Sequence, residues 1–300
     1  MRIATVDIGT NSILLLIVDL EQGERVVCDR ARIERLGKGV DRSGALDEAA
    51  IARGLDAMRE YGALIRQHGA EKVAAVGTQA LREANNGAAF LQPAGELLGT
   101  PIEVIDGRRE AELAHLAVMR SLPALAERKL VVCDVGGGST ELIVGDAGRI
   151  EMLTSVPIGS VRMAERHLLS DPPKAAEAAA MIADIDGSLA AADLPRGATL
   201  VGIAGTVTTL AAVMLGLEPY DPERVQGMRL PRHEVERQLA RYLEMSLAGR
   251  RKVRGLDPKR ADVIAAGAAV VARVMARLAA DEIVVSDRGI RWGLAYELQR

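Results

Sequence analysis

VDIGTNSILLLIVD, residues 6–19, and CDVGGGSTELIVGD, residues 133–146, align without a gap. Asp7 pairs with Asp134, Gly9 with Gly136, Ser12 with Ser139, Leu15 with Leu142 and Asp19 with Asp146. Each copy reads as a strand, a tight Gly/Ser turn and a second strand. Each is followed by a third strand-like run, ERVVCDRARIERLG in the first half and RIEMLTSVP in the second. Chance can place one Asp-x-Gly near a serine, but two whole copies point to two related domains.

Outward from the repeat, strand-like and helix-like segments alternate, which is the signature of α/β architecture. After the first copy, residues 46–68 read as a helix with Asp47 near its start. KVAAVGT then reads as a strand, 87–98 as a helix, IEVID as a strand and 110–119 as a helix. After the second copy come helices over 160–169 and 174–192, the strand TLVGIAG and further helices to Leu278. EIVVSD is a last strand and IRWGLAYELQ a last helix. The expected division is 1–119 plus 287–300 for one domain and 120–286 for the other, with the final helix returning to the first.

The composition fits this plan. With 300 residues, 49% of them apolar, the chain can bury two cores. Lys and Arg total 38 against 41 Asp and Glu, a net charge of -3, and aromatics are 2%, which leaves little to stack nucleic-acid bases. No apolar run approaches the ~18–20 residues that span a bilayer. The N-terminal stretch mixes acids into its apolar run and lacks a small-residue cleavage site, so neither a signal peptide nor a membrane is expected. Cys28 and Cys133 each lie in a VVCD run, as small buried thiols of a cytoplasmic protein do. The four histidines are scattered, without HExxH or CxxC, so no structural zinc is expected.

A strand ending in Asp and followed by Gly-x-x-Ser makes a hairpin turn whose backbone N–H groups can face an anion, and glycine permits close approach. Gly9, Thr10, Asn11 and Ser12 in one copy, and Gly136, Gly137, Gly138, Ser139 and Thr140 in the other, are therefore candidate phosphate-binding residues. The plain alternative is a hairpin whose glycine serves only a positive φ. Asp7 and Asp134, acceptors at strand ends, are candidate Mg²⁺ ligands, with Mn²⁺ as the alternative ion. Gly205 and Thr206 in IAGTVTT follow a strand and open a helix, which reads either as an anion or nucleotide seat or as a capped helix. No GxxxxGK[ST] and no GxGxxG occur.

The two loops resemble those of the actin, sugar kinase and Hsp70 superfamily. GTQALREANN, VIDGRREAELA, DVGGGSTELIVG, SVPIGSVRMAE, GIAGTVTTLAA, PYDPERVQG, KRADVIAAG and VSDRGIRWGL narrow the resemblance to the Ppx/GppA family of exopolyphosphatases and guanosine pentaphosphate phosphohydrolases, over essentially the whole chain. The resemblance implies two actin-like (ribonuclease H-like) α/β domains facing an interdomain cleft. It also implies Mg²⁺-dependent hydrolysis of a terminal phosphoanhydride, and the chain looks like the family's short form. It further implies Glu110 as general base, Glu141 as a second carboxylate that places metal or water, and Arg82 as a phosphate contact.

The basic run GRRKVRGLDPKR, with Arg250, Arg251, Lys252, Arg254, Lys259 and Arg260, would draw a polyanion toward the cleft or be a solvated loop. Arg260 is counted among the phosphate-binding candidates. Three positions depart from the family pattern. Leu14 stands where many relatives have Arg, Arg109 where they often have an acid, and Trp292 where they commonly have an acid. Arg108 and Arg109 are expected to make the field at Glu110 more cationic. The loss of Arg at position 14 favours inorganic polyphosphate over the alternative ligands pppGpp and ppGpp. A non-catalytic alarmone or nucleotide sensor, or a kinase, are rival readings. A homodimer, with no nucleic-acid or membrane partner, is the expected assembly.

Overall fold

In chain order the first elements are β1 (Arg2–Ile8), β2 (Ile13–Asp19), β3 (Arg25–Arg32), α1 (Val40–Ser43), α2 (Glu48–His68), β4 (Lys72–Gly77), α3 (Gln79–Glu83), α4 (Ala88–Leu98), β5 (Ile102–Val104) and α5 (Gly107–Ser121). The next are β6 (Leu130–Val135), β7 (Thr140–Asp146), β8 (Arg149–Val156), α6 (Ser160–His167), α7 (Ala175–Leu189), β9 (Thr199–Ile203), α8 (Ala204–Leu215), α9 (Pro222–Val225) and β10 (Arg229–Pro231). The last are α10 (Arg232–Glu244), α11 (Leu247–Arg250), α12 (Ile264–Leu278), β11 (Glu282–Val285) and α13 (Ile290–Leu298). This computed structural model describes every residue except Gln22, Ala126, Ala147, Gly148 and Arg300.

The chain forms two compact units, Met1–Leu113 with Ile290–Arg300, and Ala114–Gly289, dividing within α5. Their sheets share one plan. The first has the order β3-β2-β1-β4-β5 and the second β8-β7-β6-β9-β11-β10. In each, the first three strands are antiparallel and the next two join in parallel. Both second strands carry a register shift at matching places, Ile17/Val18 and Val144/Gly145. The three-residue β10, an antiparallel edge, has no counterpart in the first sheet.

In the first unit the pleat sends Ala4, Val6 and Ile8 toward Met58, Tyr61 and Phe90 from α2 and α4. Asp47 caps α2, its Oδ1 accepting Ala50 N–H at 3.1 Å, and Gly69 ends the helix at φ 64. The other face holds Val76, Ile105, Leu113, Ile290 and Leu294. There α13 lies on β1 and β2, and Arg291 O accepts the Thr5 hydroxyl at 2.8 Å. Helix α13 approaches α5 so closely that a Cβ on Gly293 would lie 2.0 Å from Leu113 O.

In the second unit β6 is buried along its whole length, and α12, buried at most positions, packs on α6, α7, α8 and α10. Cys28 and Cys133 are free, buried thiols. Among the described residues no helix is long and apolar enough to cross a membrane.

Candidate active site

Both repeated turns close in the same way. Gly9 N–H donates to Ser12 O at 2.9 Å, and Gly136 N–H to Ser139 O at 3.0 Å. Neither glycine has a positive φ. A Cβ on either would stand 3.1 Å from that carbonyl oxygen, so close approach, rather than a left-handed backbone, is what glycine provides.

The loop carbonyls are held from behind. Thr10 O accepts Gly37 N–H at 2.8 Å, and Asn11 O accepts Arg35 N–H at 2.9 Å. In the second loop Gly136 O accepts Ser160 N–H at 2.9 Å, Gly137 O accepts Val161 N–H at 2.8 Å, and Gly138 O accepts Arg162 Nε–H at 2.8 Å. In a trans peptide the carbonyl and the next N–H point in opposite directions, so each held carbonyl turns the following N–H forward. Those groups belong to Asn11 and Ser12, and to Gly137, Gly138 and Ser139. The N–H groups of Gly9 and Gly136 serve their own turns. Thr140 faces inward, its hydroxyl donating to Ile158 O at 2.6 Å.

Behind the second turn, Asp134 is paired across the sheet with Glu141, and Glu141 with Ser155, whose hydroxyl donates to Glu141 Oε1 at 2.8 Å. Directly opposed residues share a face, and like charges there repel. Both carboxylates are buried, Asp134 at 8% exposure and Glu141 at 3%. Such a pair suits a hard divalent cation, Mg²⁺ or Mn²⁺, with oxygen ligands. Among the described residues no cluster of three or more His, Cys, Asp or Glu forms. With only these two carboxylates as protein ligands, an ion here would take its remaining oxygens from water and substrate. In the first unit Asp7 Oδ1 is buried without a hydrogen-bond partner. Burial pushes the Asp7 carboxyl up to about 6, opposed in part by the Arg291 charge.

Glu110 lies in the first turn of α5, where Asp106 Oδ1 accepts Arg109 N–H at 2.8 Å, as a helix cap does. It is buried, and its Oε1 accepts a hydrogen bond from Arg82 Nη1 at 2.7 Å. Arg109, next to Glu110 in the sequence, is engaged by a carboxylate of the last helix. Its guanidinium pairs with Glu297 of α13, through Nη1 to Oε1 at 3.0 Å and Nη2 to Oε2, while Arg108 reaches Glu112 at 3.2 Å. A cation paired with the Glu110 carboxylate, Arg82, comes from α3, a segment 28 residues earlier.

In the second unit Gly205 and Thr206 lie in the first turn of α8, and the Arg260 guanidinium rests on Gly205, where a Cβ would meet Nη1 at 2.1 Å. Burial lowers the Arg260 pKa, against opposing Asp257. Thr206 packs on Gly267 beside Ser160. The basic run is divided: Arg251, Lys252, Arg254 and Lys259 are exposed, whereas Arg250 is buried, with Asp171 Oδ1 3.6 Å from its Nη2. Arg250 thus belongs to the interior rather than to a steering surface.

The model of the Ppx/GppA phosphatase family matches residues 16–300. The chain belongs to that family. Exopolyphosphatase 2 of Mycobacterium tuberculosis is 36% identical, over 99% of this chain and 98% of that protein. The guanosine-5'-triphosphate,3'-diphosphate pyrophosphatase of Vibrio vulnificus is 32% identical over 98% of this chain, which spans 59% of that protein. The crystal structure of the Aquifex aeolicus Ppx/GppA family member superposes with a TM-score of 0.85 at 34% identity, covering 100% of this chain and 97% of the other. The two α/β sheets are thus those of a Ppx/GppA protein.

Two departures from the family pattern acquire definite places. Leu14 is the residue directly opposite Asp7, the position that Glu141 holds opposite Asp134. Trp292 is buried on α13, its ring 5.7 Å from that of Tyr296, whose hydroxyl donates to Glu24 at 2.7 Å. Sequence reasoning missed Ser155, Ser160 and Arg162, which brace the acids and the loop. Their only signal was SVPIGSVRMAE among the family segments.

Proposed function

We propose that this Ppx/GppA protein is an exopolyphosphatase that hydrolyses the terminal phosphoanhydride of inorganic polyphosphate. The observation that carries the reading is the pair of turns whose carbonyls are tied behind and whose N–H groups face forward. Such donors suit the oxygens of a phosphate. The likeness to Exopolyphosphatase 2 over the full length supports it. Leu14, opposite Asp7, gives the first loop an apolar neighbour rather than a cation.

In this reading water attacks the terminal phosphorus in line, and the bridging P–O bond breaks with its electron pair passing to the shortened chain. Glu110 takes the proton of the attacking water, and orthophosphate leaves. In the first unit Arg82 offers a charge-assisted phosphate contact, and in the second Gly137, Gly138 and Ser139 offer N–H groups to phosphate oxygens. Mg²⁺, with Asp134 and Glu141 as its protein ligands, would neutralise charge on the phosphate oxygens. Two buried free thiols suit a reducing, cytoplasmic setting.

A second reading, hydrolysis of guanosine pentaphosphate, is favoured by the likeness to the Vibrio vulnificus pyrophosphatase. Phosphate release measured on long and short polyphosphate, guanosine pentaphosphate and ATP, with and without Mg²⁺, tests both. Mg²⁺-dependent release with the highest kcat/KM on polyphosphate is expected. Preference for the pentaphosphate would replace the first reading with the second, and no release from any would leave a binding protein.

A further inference from the structure

Arg82 sits in the last turn of α3, and its Nη1 makes both of its hydrogen bonds, to Ile105 O at 2.5 Å and to Glu110 Oε1 at 2.7 Å. Among the described residues, Nε and Nη2 donate to nothing in the protein. The Arg82 side chain keeps 31% of its surface exposed, against 7% for that of Glu110. The guanidinium therefore has a closed corner, facing the carboxylate and the turn between β5 and α5, and an open edge. That open edge, Nε with Nη2, is the parallel pair of donors that matches two oxygens of a phosphate.

We propose that Arg82 is a positioning residue for Glu110 as well as a phosphate contact. Its Nε/Nη2 edge binds the substrate's terminal phosphate while Nη1 holds the carboxylate that receives the water's proton. One rigid plane then fixes the distance and angle between the phosphorus and the base. The bond to Ile105 O ties the plane to the turn that precedes α5, the helix that carries Glu110. A lysine could supply the charge but not a planar link between two partners. The inference rests on the reading of Glu110 as general base.

The test is steady-state kinetics on polyphosphate with Mg²⁺ for Arg82→Ala, Arg82→Lys, Glu110→Gln and the two double variants. Glu110→Gln is expected to lower kcat by about 10²–10⁴. Arg82→Ala should raise KM and lower kcat by about 10²-fold, the scale of a misplaced reacting group. Arg82→Lys should recover most of KM and less than about a tenth of kcat. In the Glu110→Gln background either Arg82 change should still raise KM but lower kcat by less than about threefold, because no base remains to position. An equal kcat loss in both backgrounds, or full recovery of kcat by Arg82→Lys, would overturn the proposal. Near-normal kcat in Glu110→Gln would instead overturn the reading of Glu110, a result that the Arg82 variants cannot produce. If Arg82→Ala does not fold, Arg82→Lys in the two backgrounds makes the same comparison.

Discussion

Across the first sheet the row containing Asp7 runs Val76, Asp7, Leu14, Ala31. Across the second the matching row runs Ile203, Asp134, Glu141, Ser155. The backbones around the two rows agree in turn closure, strand order and the site of the register shift. The side chains opposite the two aspartates do not. One has an aliphatic neighbour and a buried, unpartnered oxygen; the other has a second carboxylate and a serine supporting it. A duplicated scaffold has thus kept its turn in both copies while placing paired acids in only one.

The most forceful way to break this comparison is to neutralise each aspartate. Asp134→Asn is expected to lower phosphate release about 10²–10³-fold and to raise the half-saturating Mg²⁺ concentration at least about tenfold. Asp7→Asn should leave that concentration within about threefold. A Mg²⁺ titration of both variants checks this, and equal shifts would erase the difference between the rows.

The supports behind the turns offer the next test. A Cβ at Gly159 would lie 2.5 Å from both the carbonyl carbon and the oxygen of Gly137, whereas one at Gly37 would meet Thr10 Cγ2 at 2.5 Å and Ala80 Cβ at 2.7 Å. Backbone yields less readily than side chains. Gly159→Ala should cost about 2–4 kcal/mol and Gly37→Ala about 1–2, measured by urea unfolding.

The smallest effect is electrostatic and sharpens the contrast without metal. The ordinary value of the Asp7 carboxyl is 3.8, and burial raises it to about 6 in the folded protein. Between those values the native state holds a proton that the unfolded chain has released, so this group's contribution to stability falls as pH rises through that window. In EDTA, Asp7→Asn should remove this slope and add about 1–3 kcal/mol at pH 7. Melting curves from pH 4 to 7 read it directly, and parallel curves for variant and parent would refute it.

Much of the plan was legible because the chain repeats itself: Asp-x-Gly-x-x-Ser occurs twice, and the strands on either side alternate or run apolar. β10 escaped because three residues, Arg229–Pro231, carry no periodicity. Arg250 reads as one more charge in a basic run, and only packing reveals that it is buried. The partners of Glu110 and Arg109 were hidden for a different reason. Arg82 and Glu297 are brought to them by sheet order and by the return of α13, and neither spacing exists along the sequence. Local pattern gives elements and turns; pairings across the fold need the topology first.

The close crossing of Gly293 over Leu113, with the bond from Thr5 to Arg291, bears on how the protein is made. A ribosome delivers β1 long before α13, so the face of the first sheet that α13 covers stays open until the intervening segment has been made. The segment Ala114–Gly289, continuous in sequence, can fold while still tethered at its end. The order of maturation would then invert the order of synthesis. The first sheet then waits for a contact spanning 286 residues to close over it.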